Sequence, residues 1–230
     1  MVEVQTTGGV GAGLTLTNII FDDAGKKEGT VFAQAVSDGS VGAASNDNLV
    51  YVQDAIIASN ATVTTTITLG DGAVLRNFGG MSAVRATGEA KLVMEPGSVI
   101  EDASSITRSK GDAGSVGPAG AVWLQGSDFE MENGAEIKNV NGRAVYADGG
   151  SVSVGGTISG IIGNPAMWQG KDGTAIHLRG SAKATLNGKI SDCTEGVLVF
   201  VDKAVFEMAT GSFLGNSDAA GIKTNEDPTW

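Results

Sequence analysis

The segment AVYADGGSVSVGGTI, residues 144–158, contains both halves of a motif that recurs along this chain. Its first half reads alanine, a hydrophobic residue, any residue, alanine or leucine, any residue, and glycine. Three further copies keep this spacing: AVRATG at 83–88, AVWLQG at 121–126 and AIHLRG at 175–180. A degenerate copy, VLVFVD at 197–202, has Val197 at the alanine position and Asp202 at the glycine position. The constant spacing indicates one structural unit that is repeated along the chain.

The second half of the motif reads apolar, any residue, apolar, then a glycine turn, then isoleucine or leucine. It occurs as LVMEPGSVI at 92–100, FEMENGAEI at 129–137, VSVGGTI at 152–158, ATLNGKI at 184–190 and FEMATGSFL at 206–214. ITLGDGAVL at 67–75 is the same segment in the preceding repeat, and LTLTNIIF at 14–21 resembles it. Alternating apolar residues between glycine turns predict short strands separated by tight corners.

A single repeat of this kind cannot bury its own apolar side chains, but repeats stacked on one another can. We therefore predict an all-β fold, a single parallel β-helix (a solenoid) of about seven three-walled coils, with residues 1–230 as one domain. The predicted inward residues are Val84, Ala86, Val122, Leu124, Val145, Ala147, Ile176 and Leu178 on the first wall; Ile67, Leu69, Leu92, Met94, Phe129, Met131, Leu186, Phe206 and Met208 on the second; and Leu75, Ile100, Ile137, Ile158, Ile190 and Leu214 on the third.

The composition agrees with many short strands and restricts the possible partners. Hydrophobic residues make up 41% of the chain, enough for a core, and 35 glycines suit a fold with many corners. The formal net charge of −11 repels nucleic acid and anionic membranes. The chain contains no run of 18 apolar residues, so the sequence predicts no membrane span. The one cysteine, Cys193, excludes an internal disulfide and is expected to be a small filler residue or a corner residue.

Three long insertions are expected at the same corner of the stack, between the third wall and the next first-wall strand. They comprise residues 22–48, 101–119 and 159–173, and the last contains Trp168. Insertions that share a corner line one side of a solenoid, which is often the binding side.

The outward position of the first wall holds an unusual set of residues in successive coils, namely Tyr51, Arg85, Trp123, Tyr146, His177, Val199 and Lys223. Four of the six tryptophan, tyrosine and histidine residues of the chain lie in this column. An exposed column of this kind could bind sugar rings or the surface of a partner. Alternatively, the neighbouring loops fold back over the column and bury it. The candidate ligand-binding residues are Tyr51, Arg85, Trp123, Tyr146 and His177, with Trp168 of the nearby loop.

The repeats GSVIEDASS, AGAVWLQG and GAEIKNVNGRAVYADGG resemble the pectate-lyase-like right-handed parallel β-helix superfamily. Within it they are most similar to the repetitive arrays of bacterial adhesin-like surface proteins. The resemblance implies a right-handed helix and an extracellular or cell-surface location. It implies that the partner is an extracellular glycan or a surface protein of a host or a bacterium. It also implies contact with neighbouring domains of the same longer chain. The ends of the chain show no capping element, so we expect a fragment of a longer exported protein.

The resemblance is weaker for catalysis. Lyases of this superfamily use calcium-binding aspartates and a basic residue, whereas here Asp22 and Asp23 are expected in a loop and serve, with Asp148, as turn residues. No carboxylate pair suited to glycoside hydrolysis can be assigned. We predict no catalytic residue, no metal site and no cofactor. The main hypothesis is a non-catalytic surface module, and the alternative is a lyase or hydrolase that acts on acidic polysaccharide.

Overall fold

The computed structural model of the protein describes residues 2–4, 12–22, 56–80, 82–105, 120–162, 173–194, 196–215 and 220–224. Within these ranges the fold is all-β, with 22 strands and no helix. All the strand pairings in this part of the chain are parallel. The predicted all-β, parallel organisation is confirmed. A helix able to cross a membrane is not found among the described residues.

The strands follow one another in short steps along the chain. The first eight are β1 (Val2–Val4), β2 (Gly13–Leu16), β3 (Ile20–Asp22), β4 (Ile56–Leu69), β5 (Val74–Arg76), β6 (Gly79–Gly80), β7 (Val84–Met94) and β8 (Val99–Glu101). The next seven are β9 (Ser104–Ser105), β10 (Val122–Gln125), β11 (Asp128–Met131), β12 (Glu136–Lys138), β13 (Arg143–Asp148), β14 (Ser151–Val154) and β15 (Thr157–Ile162). The last seven are β16 (Gly173–Arg179), β17 (Lys183–Leu186), β18 (Lys189–Thr194), β19 (Gly196–Asp202), β20 (Val205–Met208), β21 (Phe213–Gly215) and β22 (Ala220–Thr224).

These strands form three stacks, in which each strand pairs with its equivalents in the neighbouring repeats. The first stack contains β1, β10, β13, β16, β19 and β22, and the second contains β2, β11, β14, β17 and β20. Both stacks belong to one 13-stranded sheet, because the long strands β4 and β7 run through both of them. The third stack is a separate 7-stranded sheet of β3, β5, β8, β12, β15, β18 and β21, and β6 pairs with β9.

In-register pairing places equivalent residues directly above one another and so builds the core. In the first stack, for example, Val122 pairs with Val84 on one side and with Val145 on the other. The predicted inward residues are buried in all three stacks, with the exception of three positions at one end. These are Phe206, Met208 and Leu214, which are partly or largely exposed.

The predicted alignment of the fifth repeat is wrong by one residue. Val197 pairs with Thr174, and Val199 pairs with Ile176, so Leu198 takes the position of the motif alanine. Lys203, rather than Asp202, therefore follows the strand where the other copies have glycine. Its φ of 56° lies in the left-handed region, like the φ of 61° at Gly180. The slip arose because lysine replaces the glycine that marks the corner in the other copies.

A second corner, after the third stack, also uses the left-handed region in successive repeats. Its residues are Asn77, Asp102, Asn139, Gly160 and Asp192, with φ between 52° and 65°. Asparagine and aspartate tolerate this conformation better than other residues that have a Cβ atom. The sequence analysis assigned no role to this asparagine and aspartate series.

Opposite charges alternate along the outer side of the third stack. Asp22 pairs in register with Arg76, Arg76 with Glu101, and Glu101 with Lys138. The Arg76 guanidinium lies 2.7 Å from the Asp22 carboxylate, and the Lys138 ammonium lies 3.7 Å from that of Glu101. Asp22, expected in a loop, instead ends β3 and helps to hold that strand on β5.

Cys193 lies in β18, where its side chain is fully buried. It pairs with Ile161 in the preceding repeat. Burial raises the pKa of its thiol to about 12, so the thiol stays protonated at neutral pH. The expectation that Cys193 is a small filler of the core is confirmed.

The corner between the first and second stacks provides a test of the close contact between repeats. Gly150 and Gly126 both have positive φ, but a Cβ at Gly150 would overlap the backbone carbonyl of Ser127, whereas a Cβ at Gly126 would meet nothing within 4 Å. We expect Gly126→Ala to lower the free energy of unfolding by about 1–2 kcal/mol, the cost of the left-handed conformation alone. Gly150→Ala should lower it distinctly more, because the buried Ser127 must move. Urea denaturation measures both values, and equal losses would contradict the close contact.

Candidate functional site

The candidate site is a column of five side chains on the first stack, one from each successive repeat. The structure places them in consecutive register positions: Arg85 of β7, Trp123 of β10, Tyr146 of β13, His177 of β16 and Phe200 of β19. We call these five residues the aromatic column. Four of them are residues that the sequence analysis selected.

The two ends of the predicted column need correction. The strand that pairs with Arg85 contributes Ile57, so Tyr51 is not the neighbour of Arg85 in this register. Val199 lies in the buried column of Ile176, and Phe200 takes the place assigned to it. Lys223, predicted to follow Val199 in the column, pairs instead with Phe200. Tyr51 and Trp168 lie outside the described residues.

Two groups of side chains in the aromatic column are in contact, Arg85 with Trp123 and His177 with both Tyr146 and Phe200. The guanidinium carbon of Arg85 lies 5.1 Å from the centroid of the Trp123 ring. The centroids of Tyr146 and His177 are 5.0 Å apart with the rings tilted by 58°, and those of His177 and Phe200 are 4.6 Å apart in an edge-to-face arrangement. These distances suit cation–π and aromatic attraction, which add to the energy of burial.

The aromatic column is not the exposed platform that the sequence suggested. Trp123 is only 8% exposed and Tyr146 only 2%, while Arg85, His177 and Phe200 are partly buried. Five consecutive residues of β13, from Arg143 to Ala147, are buried, so both faces of this strand are covered. The strands of the second stack instead alternate between buried and more exposed residues.

Two further arginines that the sequence analysis did not select contact the centre of the column. The guanidinium carbon of Arg143, which is buried, lies 5.6 Å from the centroid of the Tyr146 ring. Arg179 donates a hydrogen bond of 3.2 Å to the Tyr146 hydroxyl and lies 3.5 Å from the carboxylate of Asp202. Arg179 could have been found as the residue two positions after His177 on the same strand. Arg143 could not, because it precedes the motif.

The environment of His177 keeps its imidazole neutral. Burial lowers the pKa of His177 well below its ordinary value, and the positive charges of Arg143 and Arg179 lower it further. His177 Nε2 is buried without a hydrogen-bond partner among the described residues, and the same holds for Trp123 Nε1. The site thus contains two polar ring atoms whose hydrogen-bonding capacity the described residues do not use.

The three predicted insertions leave and rejoin the stacks at one corner. The last strand before each insertion is β3, β9 or β15. Strands β3 and β15 belong to the third stack, whereas β9 pairs with β6. After them the chain begins β4, β10 and β16 of the sheet that carries the aromatic column. Residues 23–55, 106–119 and 163–172 lie outside the described residues.

Two of the carboxylates considered for catalysis, Asp22 and Asp148, lie in different stacks. Asp22 binds Arg76 and Asn77 in the third stack, whereas Asp148 ends β13 in the first, and Asp23 lies outside the described residues. Among the residues that the structure describes, no group of three histidine, cysteine, aspartate or glutamate side chains could hold a metal ion.

The lowered pKa of His177 predicts a specific loss of stability in acid. The unfolded chain protonates His177 near pH 6.5, but the folded chain does so only at lower pH. Stability from this group is therefore complete above about pH 6.5 and is lost as the pH falls towards the folded pKa, by at most about 1.4 kcal/mol per pH unit. We expect His177→Phe to lose less thermal stability than the wild type between pH 7 and pH 5. Equal losses would contradict a neutral His177, as would an NMR titration of this single histidine near pH 6.5.

Comparison with known proteins adds no relative to this description. No protein-family model, no curated protein and no solved structure matches the chain. The arguments for its function therefore rest on its own residues and their geometry.

Proposed function

We propose that the chain is a non-catalytic binding module built as a single right-handed parallel β-helix of about seven three-walled coils. It resembles the pectate-lyase-like superfamily and, within it, bacterial adhesin-like surface proteins. In-register parallel pairing across three stacks supports the β-helix, since repeats that wind in one direction pair in this way. The module acts at the cell surface or outside the cell, as part of a longer chain with neighbouring domains.

The ligand that suits the aromatic column best is an extracellular glycan. The observation that supports it is the pair of buried polar atoms, Trp123 Nε1 and His177 Nε2, on ring side chains that lie two register positions apart in one column. The indole N–H can only donate a hydrogen bond, whereas a neutral imidazole nitrogen either donates or accepts. Sugar hydroxyls do both, and the apolar C–H faces of sugar rings pack against aromatic rings. A buried polar group without a partner costs about 1–3 kcal/mol, which a hydroxyl of the ligand would offset.

Access to these rings must be part of the binding process. Trp123 and Tyr146 are buried, while Arg85, His177 and Phe200 retain partial exposure. The ligand therefore meets the partly exposed members of the aromatic column first. It reaches the indole N–H only if Trp123 becomes more exposed during binding, and we expect binding to be slow relative to diffusion for this reason.

The proposal predicts that the indole N–H contributes to affinity. Trp123→Phe keeps a ring at this position but removes the donor, and we expect it to weaken binding of the best glycan by about 3–10-fold, the value of one hydrogen bond. Trp123→Ala should weaken binding more. A glycan array identifies the ligand, and titration calorimetry at neutral pH measures the affinity.

Phe129→Leu is the matched control for these variants. Phe129 is a buried aromatic residue of β11 that faces the core rather than the aromatic column. This variant should lose stability but keep its affinity. An array without any bound glycan would contradict the glycan proposal, and a host or bacterial surface protein would then become the partner to test.

The alternative of a polysaccharide lyase or hydrolase is tested in the same samples. Acidic polysaccharides are incubated with the protein, with calcium present and absent, and new chain ends are measured. A non-catalytic module should release none under either condition. Release of new ends would contradict the proposal and would require a search for the catalytic acid among the carboxylates.

A further inference from the structure

The sequence contains three Asn-Gly pairs, Asn133-Gly134, Asn141-Gly142 and Asn187-Gly188. In such a pair the backbone nitrogen of the glycine can attack the side-chain amide carbon of the asparagine, because glycine has no Cβ atom that obstructs the approach. The attack needs a glycine N–H that is open to solvent and a backbone that is free to move. Because the reacting residues are the same in all three pairs, the fold decides which pair reacts.

The corner between the second and third stacks occurs in two lengths. In one repeat residues 132–136 connect Met131 to Ile137, whereas in the next repeat only residues 155–157 connect the equivalent strand positions. The repeat after that has the same short corner, residues 187–189. The corner that contains Asn133 is therefore a long corner that is followed by two short ones.

Successive long corners are joined by hydrogen bonds between their glycines. The Gly72 N–H donates to the Gly97 carbonyl at 3.3 Å, and the Gly97 N–H donates to the Gly134 carbonyl at 3.0 Å. The same relation would direct the Gly134 N–H towards the following repeat, whose corner is too short to provide the next carbonyl. Among the described residues the Gly134 N–H has no acceptor, and both Asn133 and Gly134 are exposed. The change in corner length thus leaves the Gly134 N–H open to solvent.

Asn133 and Gly134 form the centre of a tight turn. The Ala135 N–H donates to the Glu132 carbonyl at 3.1 Å, and Gly134 has a φ of 94°. An earlier repeat forms the same hydrogen-bonded turn with Asp71 at the position of Asn133. An aspartate at this position therefore fits the fold, so conversion of the asparagine amide to a carboxylate does not require the corner to rearrange.

The glycine N–H groups of the other two pairs are engaged within the stacks. The Gly142 N–H donates to the Ile162 carbonyl at 2.7 Å, and the Gly188 N–H donates to the Val154 carbonyl at 2.9 Å. Gly142 is also buried, and a Cβ on Gly188 would overlap the carbonyl oxygens of the preceding corner. Attack by either nitrogen requires that the stack first opens locally.

We propose that Asn133 is a modification site, at which the folded protein deamidates in preference to Asn141 and Asn187. The Gly134 nitrogen gives up its proton to hydroxide and forms a bond to the side-chain carbon Cγ of Asn133. The bond from Cγ to Nδ2 breaks, and Nδ2 takes up a proton from water and leaves as ammonia. Water then opens the resulting cyclic imide at one of its two carbonyl carbons. The product is aspartate when one bond opens and isoaspartate when the other does.

The two products have different effects on the corner. Aspartate keeps the backbone as it is and adds one negative charge to a chain whose formal net charge is −11. Isoaspartate places an extra methylene group in the backbone between Glu132 and Gly134, inside the turn that the Ala135 N–H closes. We therefore expect the isoaspartate form to unfold at a lower temperature than the aspartate form. The site lies between the second and third stacks, so its reaction does not depend on ligand binding by the aromatic column.

The experiment compares the three Asn-Gly pairs within the same full chain. The folded protein is kept at neutral and at mildly alkaline pH in water enriched in a heavy oxygen isotope, and peptide mass spectrometry follows the modified fraction of each pair. We expect Asn133 to react about tenfold or more faster than Asn141 and Asn187, because hydrogen bonding and local opening restrain the other two glycines. The rate should rise with pH, because the reaction begins with loss of the Gly134 amide proton.

The chain unfolded in guanidinium chloride is the matched control for the local sequence. All three glycine N–H groups are then in solvent, so the three rates should become similar. Asn133→Gln should remove the fast reaction, because its longer side chain closes a less favourable ring, and should leave the rates at Asn141 and Asn187 unchanged. Equal rates at the three pairs in the folded chain would overturn the proposal. So would a preference for Asn133 that persists in the unfolded chain, because the fold would then not be its cause.

Discussion

In-register parallel pairing between equivalent strands is the constraint on which the rest of this structure depends. It places like residues above one another at strand spacing, so every column is uniform in its environment from one repeat to the next. Apolar columns then form a continuous core, as the row from Val84 through Val122, Val145 and Ile176 to Val199 shows.

The corners restrict the sequence as strongly as the core does. The chain turns between stacks through left-handed backbone conformations, and each repeat must supply a residue that tolerates them. Glycine does this after the first stack in four repeats, and Lys203 does it in the fifth. Asparagine, aspartate and one glycine do it after the third stack. Lys203 shows that the fold tolerates an unfavourable residue at one corner when the pairing on both sides is intact.

The aromatic column shows how the same rule gathers side chains that are far apart in the sequence. Stacking brings Arg85 into contact with Trp123, and His177 into contact with Tyr146 and Phe200, although each of these residues comes from a different repeat. Burial makes the imidazole neutral, and the arginines beside Tyr146 reinforce that state. The rings of this column and the polar ring atoms that the described residues leave unused are the observations on which the proposed glycan binding rests.

The sequence by itself determined the all-β class, the repeat boundaries, nearly every core position and four members of the aromatic column, because strand alternation and corner spacing are local properties. It did not determine the register of the fifth repeat, because Lys203 replaces the glycine that marks the corner in the other copies. It also did not determine the neighbour of Arg85, because the preceding repeat has no corner glycine that fixes its alignment. Only the tertiary structure decided that Trp123 and Tyr146 are buried and that Arg143 and Arg179 contact Tyr146. Burial of an outward position is a property of the tertiary structure, and strand alternation contains no information about it.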